Sequence, residues 1–218
     1  MIFLISILLG IVFLLWAYKE FYQAKTGMVP QSTPEASLAY LAQMIERSAD
    51  SGTILDLGSC YGGRVFTLAR LLPTWEVTGV EQSLTPWIVG NLRSIRRNYG
   101  NYRFFWDDPG QWPLKDYSVI FIHQNDKTIK KWEASIAKRL QPGTLLISYN
   151  RPFPRIRPID TISVTSTNTL YIYKKPPPSP DSGTEPTLPI ETAVPIPPPV
   201  SPAVESNPEI QPQQILPL

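Results

Sequence analysis

Asp56, Gly58, Gly62, Glu81 and His123 are the side chains and turns whose spacing could support chemistry. In Thr53-Ile54-Leu55-Asp56-Leu57-Gly58-Ser59-Cys60-Tyr61-Gly62-Gly63 a short apolar run leads to an acid and then to a glycine-rich turn. Val65-Phe66-Thr67-Leu68-Ala69 follows and reads as a helix. A buried strand, a tight turn and a helix N-terminus form a loop that receives a nucleotide-type cofactor. The glycines permit tight turning and close backbone approach. A second acid, Glu81, ends the next apolar run. His123, the sole histidine, follows the fourth such run. A neutral imidazole there could take a proton from an attacking amine, with Gln124 and Asn125 placed to orient it. A loop histidine without a role is the equal alternative.

The residue after Ser59 discriminates between cofactors. A dinucleotide loop needs glycine at its second position so that backbone can approach a pyrophosphate. Here that position is Cys60, which disfavours NAD and FAD. S-adenosylmethionine has no phosphate and loses less, and an acid ending the first strand suits its positive charges. Cys60 lies near a helix N-terminus, a setting that can lower a thiol pKa, although a small space-filler is the stronger reading.

Alternating strands and helices must position these groups. Strands are expected at 53–57, 76–80, 102–106, 118–122 and 144–149. Helices are expected at 63–72, from Thr85 to Tyr99 and at 128–140. Residues 107–116 read as loop. A helix precedes the first strand, opened by Ser32 and Glu35 as a capping box or by Thr33 with Pro34 in the first turn. Thr161–Ser166 and Leu170–Tyr173 read as a closing antiparallel hairpin. Repeated strand–helix units imply a parallel sheet covered on both faces, with the glycine loop at its carboxyl edge.

The flanks differ from this domain. Residues 2–17 are almost wholly apolar, and as a helix residues 2–18 would span roughly 25 Å. Lys19 and Lys25 follow, with no basic side chain before them, so charge bias places the remainder in the cytoplasm. A cleaved signal peptide is the competing reading; it lacks a basic leader and a small-x-small site. The expected organisation is an anchor over 1–18, a linker over 19–31, a domain over 32–175 and a Pro-rich acidic tail over 176–218. The tail holds 14 of the 24 prolines, five acids and no Lys or Arg. It is expected to be disordered, and could act as a spacer or as a ligand for a Pro-binding domain. Without it the chain carries +7. Arg93, Arg96 and Arg97 cluster on one expected helix, either as a solvated face or towards anionic headgroups. No nucleic-acid motif is present. One cysteine excludes an intrachain disulfide. Neither a metal nor self-association is expected.

Residues 53–63 resemble motif I of the class I S-adenosylmethionine-dependent methyltransferases, whose usual form is Asp-x-Gly-x-Gly-x-Gly. The strand series over about 30–175 resembles that family too. The resemblance implies a Rossmann-like methyltransferase sheet, parallel with a C-terminal antiparallel hairpin. It implies cofactor contacts from Asp56, Gly58, Ser59 and Gly62, ribose contacts from Glu81 with Gln82 beside it, and an adenine flank at Trp106 and Asp107, or Asp108. The anchor, Asp-Leu-Gly-Ser and the late Arg151-Pro152-Phe153-Pro154 are also similar to small membrane-anchored protein-lysine methyltransferases related to mitochondrial enzymes. That likeness implies methylation of a lysine on a membrane-associated protein; the expected anchor alone would equally suit a lipid or quinone-like headgroup. Trp112, Tyr149 and Phe153 are candidates for cation–π contact to an amine, though aromatics at strand ends are more often core. Cys60 and Tyr61 depart from the motif, so an inactive scaffold recruiting partners through its tail is the alternative. The Asn/Asp-Pro-Pro-Tyr signature of adenine- and glutamine-type methylation is absent.

Overall fold

The computed structural model describes residues 2–26, 31–97 and 99–175. The Pro-rich tail expected over 176–218 lies outside the described residues. Helix α1 (Ile2–Thr26) precedes α2 (Glu35–Ser48), β1 (Gly52–Leu57), α3 (Gly63–Leu71), β2 (Trp75–Glu81) and α4 (Leu84–Ser94). Then follow β3 (Tyr102–Trp106), β4 (Val119–Ile122), α5 (Asp126–Arg139), β5 (Leu145–Tyr149), β6 (Asp160–Thr165) and β7 (Asn168–Lys174).

The seven strands form one sheet in the order β3-β2-β1-β4-β5-β7-β6. The first five strands run parallel, and β7 pairs antiparallel with both β5 and β6. This is the expected Rossmann-like sheet with its closing hairpin. Period-2 alternation in the strands feeds two cores. Ile54, Phe121 and Ile147 meet Leu38, Leu41 and Ile45 of α2 and Val65 and Leu68 of α3 on one face. Leu55, Leu57, Ile120 and Ile122 meet Ile129, Trp132 and Ile136 of α5 on the other. The strand order reverses between β1 and β4, so the glycine loop after β1 opens at the crevice where ligands bind in such sheets.

Three local expectations change. Helix α1 continues to Thr26, so the first part of the expected linker is helical. Helix α2 starts at Glu35 without a side-chain cap, because the Thr33 hydroxyl is engaged 2.8 Å from His123 Nδ1. Helix α4 ends at Ser94 rather than Tyr99. There the Ser94 hydroxyl turns back onto the Asn91 carbonyl (2.6 Å), and the Tyr102 hydroxyl donates to the Ser94 carbonyl (3.2 Å). The expected loop after β3 is held open by α5. Arg139 Nη1 donates to the Trp112 carbonyl at 2.5 Å and Nη2 to the Gly110 carbonyl at 2.6 Å.

Helix α1 stands apart. Phe3–Phe21 is long and apolar enough to cross a membrane, and its large side chains are exposed. It is nevertheless attached to the domain. It packs on α4, where the Thr85 hydroxyl donates to the Leu15 carbonyl at 3.1 Å.

Candidate active site

The carboxyl edges of β1, β2, β3 and β4 bring the glycine loop, Glu81, Trp106 and His123 to one end of the sheet. The loop is shaped by three left-handed residues: Gly58 (φ 75°), Cys60 (φ 56°) and Gly62 (φ 73°). Glycine occupies that region freely, whereas a Cβ resists it. The loop is fixed to β2 by Gly58 N–H and Ser59 N–H donating to the Val80 carbonyl at 2.9 and 3.0 Å.

Glu81 holds this turn from the neighbouring strand. Its Oε2 accepts from Cys60 N–H at 2.8 Å and its Oε1 from Ser83 N–H at 2.7 Å. Burial pushes its carboxyl above the usual range, against the pull of those two donors. Each carboxylate oxygen keeps a further lone pair. Beside it, Trp106 is 53% exposed, donates from Nε1 to the Gln82 carbonyl at 3.0 Å, and lies 6.0 Å from the Trp87 ring. Asp107 is exposed, and its carboxylate accepts from Asp108 N–H at 2.7 Å.

Asp56, expected among the cofactor contacts, sits beneath the loop. It is fully buried, and both its oxygens accept from Arg64 Nε at 3.0 Å. Arg64 also donates from Nη1 to the Gln31 carbonyl (2.8 Å) and from Nη2 to the Gly58 carbonyl (2.6 Å). One guanidinium therefore ties the end of β1, the glycine loop and the strap before α2. Burial pushes the Asp56 carboxyl up, and the facing guanidinium opposes that shift. The reading of residues alone missed Arg64. A signal existed: a cation in the first turn of α3 opposes the helix dipole unless a carboxylate neutralises it.

His123 is buried; its Nδ1 meets the Thr33 hydroxyl and its ring contacts the Tyr149 ring edge-on at 4.6 Å. Burial, with the nearby Arg64 and Arg151 charges, pulls its pKa down to about 3. Next to it, Gln124 Nε2 donates to the Gly58 carbonyl at 3.2 Å, while Gln124 Oε1 and Ser59 Oγ are buried without a partner. Tyr149 and Phe153 are core residues rather than an open aromatic cage: Tyr149 Oη bonds Ser37 Oγ at 3.0 Å, and Phe153 packs on Tyr173. Among the described residues no group of His, Cys, Asp and Glu could hold a metal.

No protein-family model matches the chain. Among solved structures, an RNA methyltransferase from Salinibacter ruber, in complex with S-adenosyl-L-homocysteine, superposes with a TM-score of 0.59 at 21% identity, covering 72% of this chain and all of that one. The fold is that of the class I S-adenosylmethionine-dependent methyltransferases. A methyltransferase from Geobacter sulfurreducens, also with S-adenosyl-L-homocysteine, matches at 22% identity and a TM-score of 0.45 over 58% of this chain and 53% of its own. In sequence, the release factor glutamine methyltransferase of Buchnera aphidicola is 25% identical over 123 residues, or 54% of this chain. The chain spans 43% of that relative's length.

Within the methyltransferase fold, Cys60 replaces the middle motif glycine yet keeps a glycine-like φ of 56°. Its thiol, buried near the Glu81 carboxylate, is pushed up to about 11, opposite to an activated nucleophile. The left-handed conformation costs a side-chain-bearing residue about 1–2 kcal/mol. Cys60→Gly is therefore expected to raise stability by about 1 kcal/mol and Cys60→Val, whose branched Cβ fits worse, to lower it by more than that. Thermal unfolding of the full chain in detergent reads the order Gly, Cys, Val; Val at or above Cys would contradict the strained turn.

Proposed function

We propose that the chain is a membrane-anchored S-adenosylmethionine-dependent methyltransferase that acts on an amine of a membrane-associated protein, a lysine in the first instance. The observation that carries this reading is Glu81, fixed at the end of β2 by the Cys60 and Ser83 amides with Trp106 one strand away. A carboxylate with spare lone pairs beside an exposed indole suits a ribose with its adenine. The buried, partnerless Gln124 Oε1 and Ser59 Oγ add polar capacity on the β1 and β4 side, where a buried polar atom calls for a partner. Bound there, the cofactor supplies an electrophilic methyl on a sulfonium. Glu81, with Gln82, holds the ribose, Trp106 and Asp107 flank the adenine, and Gly58, Ser59 and Gly62 shape the floor. Asp56 acts through Arg64 as a positioning residue. The retained left-handed turn at Cys60 favours a working loop over the inactive-scaffold reading.

The chain's own residues also supply acceptor-side chemistry. His123, its pKa pulled down to about 3, is neutral at physiological pH. It therefore suits accepting a hydrogen bond that orients the acceptor rather than taking its proton, which calls for a base near the working pH. Orientation in a desolvated site accounts for most of the acceleration. A glutamine acceptor, as the Buchnera relative's name describes, is disfavoured, because His123-Gln124-Asn125 follows β4 where that chemistry uses an Asn/Asp-Pro-Pro-Tyr signature. Anchoring is supported by the α1–α4 contact: processing at a signal-peptide site would remove a helix that packs on the domain. The basic Lys19 and Lys25 favour a cytoplasmic domain.

Calorimetric titration of the full chain with S-adenosylmethionine, S-adenosylhomocysteine and NAD tests the cofactor. Binding of the first two and not the third is expected; absence of both sulfur compounds would end the proposal. Transfer of labelled methyl into membrane proteins, followed by amino-acid analysis for methyllysine, tests the acceptor.

His123 also makes a pH prediction. Folding lowers its pKa from 6.5 to about 3, so the unfolded chain binds a proton that the native state rejects. This contribution is full above about pH 6.5 and is lost as pH falls towards 3. Thermal unfolding across that window should fall less steeply in His123→Gln than in the native chain. Identical slopes would contradict the neutral buried imidazole.

A further inference from the structure

We infer that the outer end of α4 and the turn after it form a second membrane contact, which lies on an anionic bilayer beside α1. This rests on α1 being the membrane anchor. The depth of the α1–α4 junction is the first argument. Thr85 bonds the Leu15 carbonyl, six residues before the end of the apolar span at Phe21. At 1.5 Å per residue, Leu15 lies roughly 9 Å deeper along α1 than Phe21. The headgroup layer on each side is only about 5–8 Å thick. A span over Phe3–Phe21 therefore holds the Thr85 end of α4 at the bilayer.

Composition supplies the second argument. No acid occurs between Glu81 and Asp107, while Arg93, Arg96, Arg97 and Arg103 all lie there. Arg93 Nη1 donates to the Tyr61 carbonyl at 3.2 Å and Arg97 lies 5.1 Å from the Phe66 ring centre, so two guanidiniums are held in place beside the domain rather than extended away. Leu92, next to Arg93, is 61% exposed, and Ile95, between Arg93 and Arg96, is 79% exposed. Leu84, Ile88, Leu92 and Ile95 recur at helical spacing, and the first two are half-buried. The stripe thus runs outward from the end of α4 where α1 packs and becomes open at its far end. Exposed aliphatic side chains among arginines suit a headgroup boundary, where apolar groups enter the acyl margin and guanidiniums meet phosphate.

The test uses the full chain with Ile95→Cys carrying an environment-sensitive fluorophore; the native Cys60 is buried. The protein is reconstituted in phosphatidylcholine vesicles with or without phosphatidylserine and compared with detergent micelles. In the anionic vesicles iodide quenching should fall and quenching by doxyl-labelled lipid should rise, both reversed by high salt. A label at exposed Lys131 of α5 should stay accessible to iodide. Arg96→Glu should weaken the contact about fivefold or more, since each basic side chain near an anionic surface contributes about that factor. A chain that floats with the vesicles while position 95 stays open to iodide overturns this proposal and leaves the anchor. Protection found only in native membranes overturns it in favour of a protein partner. A chain that floats with neither vesicle overturns both readings.

Discussion

Replacing Arg64 with methionine is expected to lower the unfolding free energy by about 3–5 kcal/mol, the usual consequence of leaving one partner of a buried ion pair alone. Arg64 is 3% exposed and Asp56 is fully buried. The substitution strands the Asp56 carboxylate and also removes the donors to the Gly58 and Gln31 carbonyls. Asp56→Leu alone should be similarly damaging, because the guanidinium then has no counter-charge. The double variant Asp56→Leu, Arg64→Met should recover most of the loss, since well-packed apolar groups often replace a buried pair without penalty. Chemical unfolding of the full chain in detergent, followed by tryptophan fluorescence, reads all three. A loss below about 1 kcal/mol for Arg64→Met would show that the pair is not the strut described here. The double variant separates stability from function. It should fold, yet bind S-adenosylhomocysteine weakly, because nothing then ties Gly58 to the strap at Gln31.

The frame of this protein is legible in its residues because each element carries its own signal. Apolar runs ending at Asp56, Glu81, Trp106 and Ile122 are strands whose ends converge once right-handed crossovers are imposed. Glycines at 58 and 62 mark left-handed turns, and they adopt them. What was not legible depends on distant partners. Thr33 looks like a helix cap by local chemistry, but His123, 90 residues away, takes its hydroxyl. Asp56 reads as a cofactor contact, and only the three-dimensional placement of Arg64 shows it paired and buried. Tyr149 looks available at a strand end until Ser37 of α2 meets its hydroxyl. These pairings are set by packing across the sheet, which no spacing rule encodes.

Similar pairings link α1 and the residues before α2 to the candidate site. Helix α1 touches α4 at Leu15, and Lys19 lies within electrostatic reach of Tyr61 in the glycine loop. After α1, Gln31 and Thr33 bond Arg64 and His123. The segment before α2 is thus hydrogen-bonded to both Arg64 and His123 of the candidate site. Polar contacts cover both the buried histidine and the buried ion pair.

Glu81→Ala should reduce the affinity for S-adenosylhomocysteine by at least about 100-fold. A hydrogen bond to a charged group contributes about 1.5–3 kcal/mol, and a carboxylate can accept from both ribose hydroxyls. The variant also releases Cys60 N–H and Ser83 N–H, 2.8 and 2.7 Å from the carboxylate, so a purely structural role could mimic the loss. Ligand chemistry separates the two. An analogue lacking the ribose 2′-hydroxyl should bind the native chain more weakly, and removing Glu81 should then cost it less than it costs the parent ligand. Glu81→Gln sharpens the contrast. It preserves size, but its amide nitrogen faces one of two backbone donors, so it should lose ribose affinity while keeping most of the fold's thermal stability. Calorimetry with both ligands on the three proteins reads the result as a coupling between side chain and hydroxyl. Equal losses for the two ligands would assign Glu81 to holding the loop alone, and unchanged affinity in Glu81→Ala would remove the ribose assignment on which the proposed cofactor rests.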